Sequence, residues 1–335
     1  MKEELTMDDA SATGVGPDRD DGMVYVMPDD LDLAIKVALA AGRPLLLRGK
    51  PGSGKSSMAP FVAKERNWRY YKFVVTSQTR ARDLQWSFDG VRRLADAQGR
   101  GFRAPKLHEP DIYVEPGPLW WAFAPRAAAE HVRRSARARF PSAEGYVHPE
   151  EVRNKARDIG HSVVLIDEID KADPDVPNGL LVPLASQDFT VAESGKRVTV
   201  EADPEAMPGR PFHQHLVVIT TNEERELPQA FLRRCVIAEL TPPSSVEQLV
   251  RIAEEHLKVR VGKNLSSADM ELAEALACEL ETVRESARRQ GVREPSTAEY
   301  LDALWACREL KIKVGEGQWD AVRKLTLVKP QHLRG

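Results

Sequence analysis

The chain has 335 residues, 42% hydrophobic and 30% charged, which is the balance of an ordinary folded protein and not of a disordered or fibrous one. With 48 basic and 51 acidic residues the formal net charge is −3, so no global field holds nucleic acid or an anionic membrane, and any such contact must be local. The longest apolar run, Leu119 to Ala124, falls far short of the ~20 residues of a spanning helix.

Met1 to Gly22 carry seven acids against Lys2 and Arg19, with no apolar core or cleavage-site pattern, which predicts a disordered tail rather than a secretory signal. From Met23 onward short apolar runs alternate with helical periodicity, the pattern of βαβ units around a parallel sheet, so the fold class is α/β. A helix is predicted from Asp30 to Ala41, with Leu31, Ala34, Ile35, Ala38 and Leu39 on one face and Gly42 as its stop. Strands are predicted at Pro44 to Arg48, Tyr70 to Val75, Ser162 to Ile166, His215 to Thr220 and Cys235 to Leu240, each short and rich in Val, Ile, Leu or Tyr. Between Asp188 and Pro211 two alternating runs, Phe189 to Ala192 and Arg197 to Val200, flank Glu193-Ser194-Gly195-Lys196 and read as a hairpin. After Pro242 and Pro243 the remainder is helical, with Ser245, Ser266 and Ser296 as expected caps.

Gly49-Lys50-Pro51-Gly52-Ser53-Gly54-Lys55-Ser56 matches G-x-x-x-x-G-K-[ST] between an expected strand and an expected helix. Small residues let the backbone curl so that successive N–H groups converge on a phosphate, at the positive N-terminus of the following helix. Lys55 then reaches the β and γ phosphates, and the Ser56 hydroxyl serves Mg²⁺, which keeps most of its waters. Val163-Val164-Leu165-Ile166 runs directly into Asp167-Glu168, at the strand end where an open α/β sheet gathers its ligands. Asp167 is the expected partner of Mg²⁺ and Glu168 the group that polarises a water, although such acids would equally suit a helix N-terminus.

With these strings stand Asp167-Glu168-Ile169-Asp170-Lys171-Ala172, Thr220-Thr221-Asn222, Leu227-Pro228-Gln229-Ala230-Phe231-Leu232-Arg233-Arg234 and Pro295-Ser296-Thr297-Ala298-Glu299-Tyr300-Leu301-Asp302. Together, over Met23 to Lys313, they resemble AAA+ ATPases and within them the MoxR-like branch. The resemblance implies a P-loop AAA+ core over 23–241 with inserts near 98–118, 126–160 and 188–211, then a small all-helical lid over 242–335. It implies ATP and Mg²⁺ as cofactors and hydrolysis to ADP and phosphate. Asn222 takes the place of the first sensor, which orients the attacking water, and Arg234, with Arg233 second, the place of an arginine offered to a neighbouring subunit's nucleotide.

Where relatives carry a lid arginine this chain has Ser296-Thr297, and Arg293 is the nearest substitute. Lys55 and Asp167 lie 112 residues apart, more than the family core needs, so the inserts are substantial. Arg126 to Phe140 carries Arg126, Arg133, Arg134, Arg137 and Arg139 against Glu130 alone, which suits a solvated helix face or a dock for an acidic partner or phosphate backbone. Trp120 and Trp121 are either exposed anchors or core, and the hairpin at 188–211 is implied to face a pore or partner.

The function implied is a ring-forming, hexameric, chaperone-like remodeller of a protein client, paired with a separate von Willebrand A-domain protein. A nucleotide switch or DNA-associated regulator in a restriction or defence complex is the alternative. Cys235, Cys278 and Cys307 are expected as reduced, small buried hydrophobes of a cytoplasmic chain. His213 and His215 alternate at strand spacing without a ligand pattern.

Overall fold

The structure is a computed structural model that describes residues 22–98, 109–139, 146–201, 214–262 and 264–328. The expected acidic tail up to residue 21, the middle of the first insert (99–108), residues 140–145, the end of the polar loop (202–213, with His213) and the last residues from 329 lie outside the described residues.

The α/β unit comprises Met27–Lys50 and Met58–Leu240. Its first elements are α1 (Asp29–Ala41), β1 (Leu45–Arg48), α2 (Lys55–Glu65), β2 (Trp68–Val74), β3 (Trp86–Phe88) and α3 (Gly90–Gln98). Then follow β4 (Val114–Pro116), α4 (Pro118–Phe123), α5 (Pro125–Arg139), α6 (Pro149–Arg153), β5 (Asp158–Asp167), α7 (Asp175–Gly179) and α8 (Leu181–Ser186). The unit closes with β6 (Asp188–Thr190), β7 (Arg197–Thr199), β8 (Gln214–Thr221), α9 (Gln229–Leu232) and β9 (Val236–Glu239). A helical unit follows from Thr241 and contains α10 (Val246–Val261), α11 (Ser267–Gln290), α12 (Thr297–Glu309) and α13 (Trp319–Thr326). Residues 22–26 and Pro51–Ser57 group with the helical unit.

Five parallel strands form the sheet in the order β2-β5-β8-β1-β9. Leu45, Leu46 and Leu47 of β1, Val163 to Ile166 of β5 and Leu216 to Ile219 of β8 are buried on both faces, which is why these strands read as unbroken apolar runs. Full burial of each such side chain stabilises by about 1.5–3 kcal/mol. At the edge, β9 alternates half-buried and exposed residues instead. Helix α1 starts after Pro28 with Asp29, Asp30 and Asp32 against its positive end, and Gly42 stops it at φ 59°, the left-handed conformation a glycine adopts without a Cβ clash.

The order places β8 between β1 and β5, in register Arg48↔Thr221 and Ile166↔Ile219. The end of β1, the Asp167-Glu168 pair and Asn222 therefore share one edge of the sheet.

Of the two readings left open for Trp120 and Trp121 on α4, the structure has the core one: both are buried, Trp120 tilted against His131 and Trp121 stacked on His148. The expectation of three buried cysteines is corrected. Of the cysteines, Cys307 is buried, but Cys235 is half-buried and Cys278 exposed, the latter on the outer side of α11. Hairpin β6–β7 pairs Phe189 with Val198, as the alternation predicts. Its apolar side, with Val191, is buried in the body, and Glu193 at its turn accepts the Trp86 indole N–H at 2.6 Å.

In the helical unit Ser245, Ser266 and Ser296 each cap a helix, the last two in reciprocal capping boxes with Asp269 and Glu299. Leu249, Leu257, Leu276, Leu280, Tyr300 and Leu304 form its core, closed by Trp319 and Val322 of α13. Replacing Ser266 by Ala leaves an orphan N–H at the start of the 24-residue α11 and lowers stability by about 1 kcal/mol, measured by urea unfolding followed by circular dichroism.

Candidate active site

At the end of β5 the chain makes an abrupt change of direction. Asp167 completes the strand, and Glu168 adopts φ 61°, a left-handed conformation that costs a non-glycine residue about 1 kcal/mol. Thr220 of β8 supports it: its hydroxyl donates to Asp167 Oδ1 at 2.6 Å and accepts the Glu168 N–H at 2.9 Å. Thr220 is buried, so one hydroxyl fixes both carboxylate residues from the neighbouring strand.

The Glu168 carboxylate is gripped on both oxygens. Asn222 Nδ2 donates to Oε1 at 3.2 Å and Lys171 Nζ to Oε2 at 2.5 Å. Lys171 is held protonated above its ordinary range, chiefly by that bond. Asp170, 2% exposed, accepts the N–H groups of Asn222 and Glu224 on one oxygen, at 3.1 and 3.0 Å. It thereby fixes the loop that carries Asn222, while Glu223 in that loop also takes positive φ and faces Arg48. Asp170 and Thr220 have no assigned part in the sequence reading, because their partners lie about 50 residues away across the sheet; Lys171 bonds Glu168 only three residues before it, and the motif letters around it are the local signal.

Gly49 leaves β1 at the same sheet edge, with φ 142°. Beyond it, within the helical unit, lie Pro51, Gly52, Ser53 and Gly54, then Lys55 and Ser56 in the first turn of α2. Gly52 has φ 78°, and a Cβ on it would stand 2.3 Å from the Ser296 Cβ. Gly54 has φ 87° and lies under the Tyr25 ring, which a Cβ would meet at 3.3 Å. Both positions need glycine twice over, for backbone and for space. Lys55 is buried, 5% exposed.

Arg233 caps the C-terminus of α9, and Arg234 donates weakly to the Ala230 carbonyl at 3.4 Å; both are exposed. Arg234 and Arg43 flank a cavity of about 360 Å³ floored by Leu184 and Phe231. Burial pushes the Cys235 thiol beside it up to about 11. Arg293 forms a two-pronged ion pair with Glu299, at 3.1 and 3.2 Å, and Glu299 at the same time accepts the Ser296 N–H at 2.7 Å. The buried arginine of this unit is Arg284, whose guanidinium binds the carbonyls of Pro295 and Pro243 and the Glu281 carboxylate. It ties the entries of α12 and α10 together.

The donor set assigned to the metal, the Ser56 hydroxyl and the Asp167 carboxylate, is all oxygen and small. Among the described residues no group of three or more His, Cys, Asp or Glu forms a cage for a metal ion. Oxygen donors of this kind suit Mg²⁺, which takes few protein ligands beside phosphate oxygens and water.

Replacing Thr220 by Val keeps the shape and removes both hydrogen bonds, leaving the buried Asp167 Oδ1 and the partly buried Glu168 N–H without this partner, and lowers stability by about 1–3 kcal/mol in thermal or urea unfolding. Gly52→Ala meets both the φ strain and the Ser296 contact, and loses nucleotide binding in equilibrium titration.

Residues 127–235 match a family model described as the AAA domain (dynein-related subfamily). The matched segment encloses Asp167, Glu168, Asn222 and both arginines; the glycine loop precedes it. No curated protein matches the chain. Among solved structures, a substituted RuvB from Thermotoga maritima aligns at TM-score 0.42 and 15% identity over 88% of this chain and 65% of that one, so the chain spans just under two thirds of its length. A candidate ATPase from Cytophaga hutchinsonii aligns at TM-score 0.39 and 13% identity, over 81% of this chain and 70% of that one. The Thermotoga maritima RuvB Holliday junction branch migration motor aligns at 0.36 and 15%, over 84% and 67%. On the family match and the strand-end constellation it encloses, residues 127–235 are identified as similar to an AAA domain.

Proposed function

We propose that the protein is a MoxR-like remodelling ATPase, in which ATP hydrolysis in a ring of identical subunits drives conformational work on a bound protein. The observation that carries the reading is Glu168, an acid on strained backbone at the end of a central strand, with its carboxylate aimed by the Asn222 amide. Strain of this kind, offset by a buried hydroxyl on the neighbouring strand, supports a chemical role for Glu168.

In the proposed reaction the amides of Gly49, Pro51 through Gly54 and Lys55, other than the proline, cradle the phosphates, and the Lys55 ammonium neutralises the charge on the transferred group. Ser56 and Asp167 would hold Mg²⁺, which would supply Lewis-acid stabilisation of the phosphate oxygens. Glu168 accepts the proton of the attacking water, and Asn222, able to donate and accept, orients that water. Arg234 of an adjacent copy, with Arg233 as its neighbour, steadies the charge of the departing phosphoryl group. Arg293 is proposed as the lid contact to nucleotide, reached by exchanging Glu299 for phosphate.

The client is a protein or protein complex, with a von Willebrand A-domain protein as a separate partner chain, and the setting is the cytoplasm. No helix among the described residues is long and apolar enough to cross a membrane. The DNA-associated alternative rested on the arginine row of α5, and the pairing of that row weighs against it. Arg133 meets Glu151 at 3.0 Å, Arg134 meets Asp111, and Arg139 meets Glu115 at 3.7 Å while donating to the Ile112 carbonyl. Three of the five arginines thus hold the inserts to one another, leaving less charge to displace counterions from a phosphate backbone.

Lys55→Ala abolishes nucleotide binding or turnover, and an unchanged rate rejects the loop assignment. Glu168→Gln keeps ATP binding and lowers kcat by about 10²–10⁴, the worth of a general base, read by phosphate release beside a binding titration. For the arginine, Arg234→Ala subunits are mixed with Lys55→Ala subunits. Partial recovery of turnover supports action between subunits, and no recovery at any ratio rejects it.

A further inference from the structure

Glu168 leaves its backbone from a left-handed residue, and its terminal torsion is broad, so one hydrogen bond does not define which lone pair faces an incoming water. Two donors on different oxygens do. Asn222 Nδ2 holds Oε1 at 3.2 Å, and Lys171 Nζ holds Oε2 at 2.5 Å. Lys171 is delivered by a single helical turn, Ile169–Lys171, that closes on the Glu168 carbonyl through the Lys171 N–H at 3.0 Å. Its side chain is 41% exposed and is not part of the packed core.

We infer that Lys171 is a positioning residue for hydrolysis: it clamps Oε2 of Glu168 so that the plane of the carboxylate, and the remaining lone pairs of Oε1, are fixed relative to the Asn222 amide. The inference rests on the reading of Glu168 as the base. The ammonium is well suited to the task, being a compact point charge on a flexible stem that follows an oxygen without covering it. The Asp170 and Glu224 carboxylates also face it, and with the Glu168 bond they hold its titration above the ordinary lysine range. Asp170, by holding the backbone of Asn222, completes the frame from the other side. A clamp of this type acts on the chemical step and leaves the affinity for nucleotide alone.

The test uses the full chain. In Lys171→Met, kcat for ATP falls about tenfold while KM stays within twofold of the parent, and Lys171→Arg, which retains a charged donor, recovers most of the loss. A kcat equal to or above the parent overturns the proposal, as does a fall in ATP affinity matching the fall in rate. A second measurement is independent of turnover. The Lys171 side-chain resonance, assigned by its loss in Lys171→Arg, titrates higher in the parent than in Glu168→Gln; identical titrations in the two overturn the clamp. If the parent hydrolyses no ATP, the proposed function fails, and the lysine titration still decides whether Lys171 holds Glu168.

Discussion

The site depends on the register between β5 and β8. Both strands are apolar on both faces, so the alternation that fixes register in a half-solvated sheet is missing, and a slip would expose no apolar side chain to water. Polar clips at the two ends do the work instead. Ser162 Oγ and His215 Nδ1 meet at 2.8 Å where the strands enter, and Thr220 Oγ1 and Asp167 Oδ1 meet at 2.6 Å where they leave. Each is short and at least partly buried. A slip of one residue breaks both at once, turning Thr220 to the opposite face and leaving buried polar groups unpaired, at about 1–3 kcal/mol each. The geometry of the strand-end cluster around Asp167 and Glu168 is thus specified by the hydrogen bonds that align the strands.

Beyond the strand ends, two left-handed glutamates, Glu168 and Glu223, redirect the chain. Each costs about 1 kcal/mol, and neither is excused by glycine. The offset comes from one acid, Asp170, whose single oxygen accepts two backbone N–H groups of the Asn222 loop, and from the Thr220 bond to the Glu168 N–H. Hydrogen bonds to a charged group contribute about 1.5–3 kcal/mol each, enough to exceed the strain. The turn after β5 and the loop after β8 are therefore one mechanical object, although 52 residues separate Asp170 from Asn222.

The main strands and the helical caps were legible in the sequence because each is announced locally: a run of leucines or valines, a serine three residues before an acid, a glycine after the last apolar position. The glycine loop and the acidic strand end were legible for the same reason. What was not legible depends on partners brought together by the fold. The row of arginines on α5 looks unbalanced when only Glu130 is counted, but Asp111, Glu115 and Glu151 arrive from other elements. Trp120 and Trp121 look amphipathic in isolation, yet imidazole rings from α5 and from the start of α6 cover them. Thr220 is one of two adjacent threonines, and only the pairing with β5 distinguishes it from Thr221. Helix α13 was also missed, since Gly315 and Gly317 lead into it and its buried residues, Trp319 and Val322, complete a core built elsewhere.

In the helical unit, Ser296 at the start of α12 meets the glycine loop directly. The residue at the start of α12 is a serine, and its Cβ stands where a side chain on Gly52 would begin. The approach of Gly52 to the start of α12 is therefore one of close packing. A charged contact weakens slowly with distance and is screened by salt, whereas van der Waals exclusion changes over a few tenths of an ångström and is indifferent to salt. Arg284, buried and bonded to the carbonyls of Pro243 and Pro295, holds the helix entry to the tolerance that such a contact needs. The arginine's charge is used to place the serine, and the serine's shape is what the glycine loop meets.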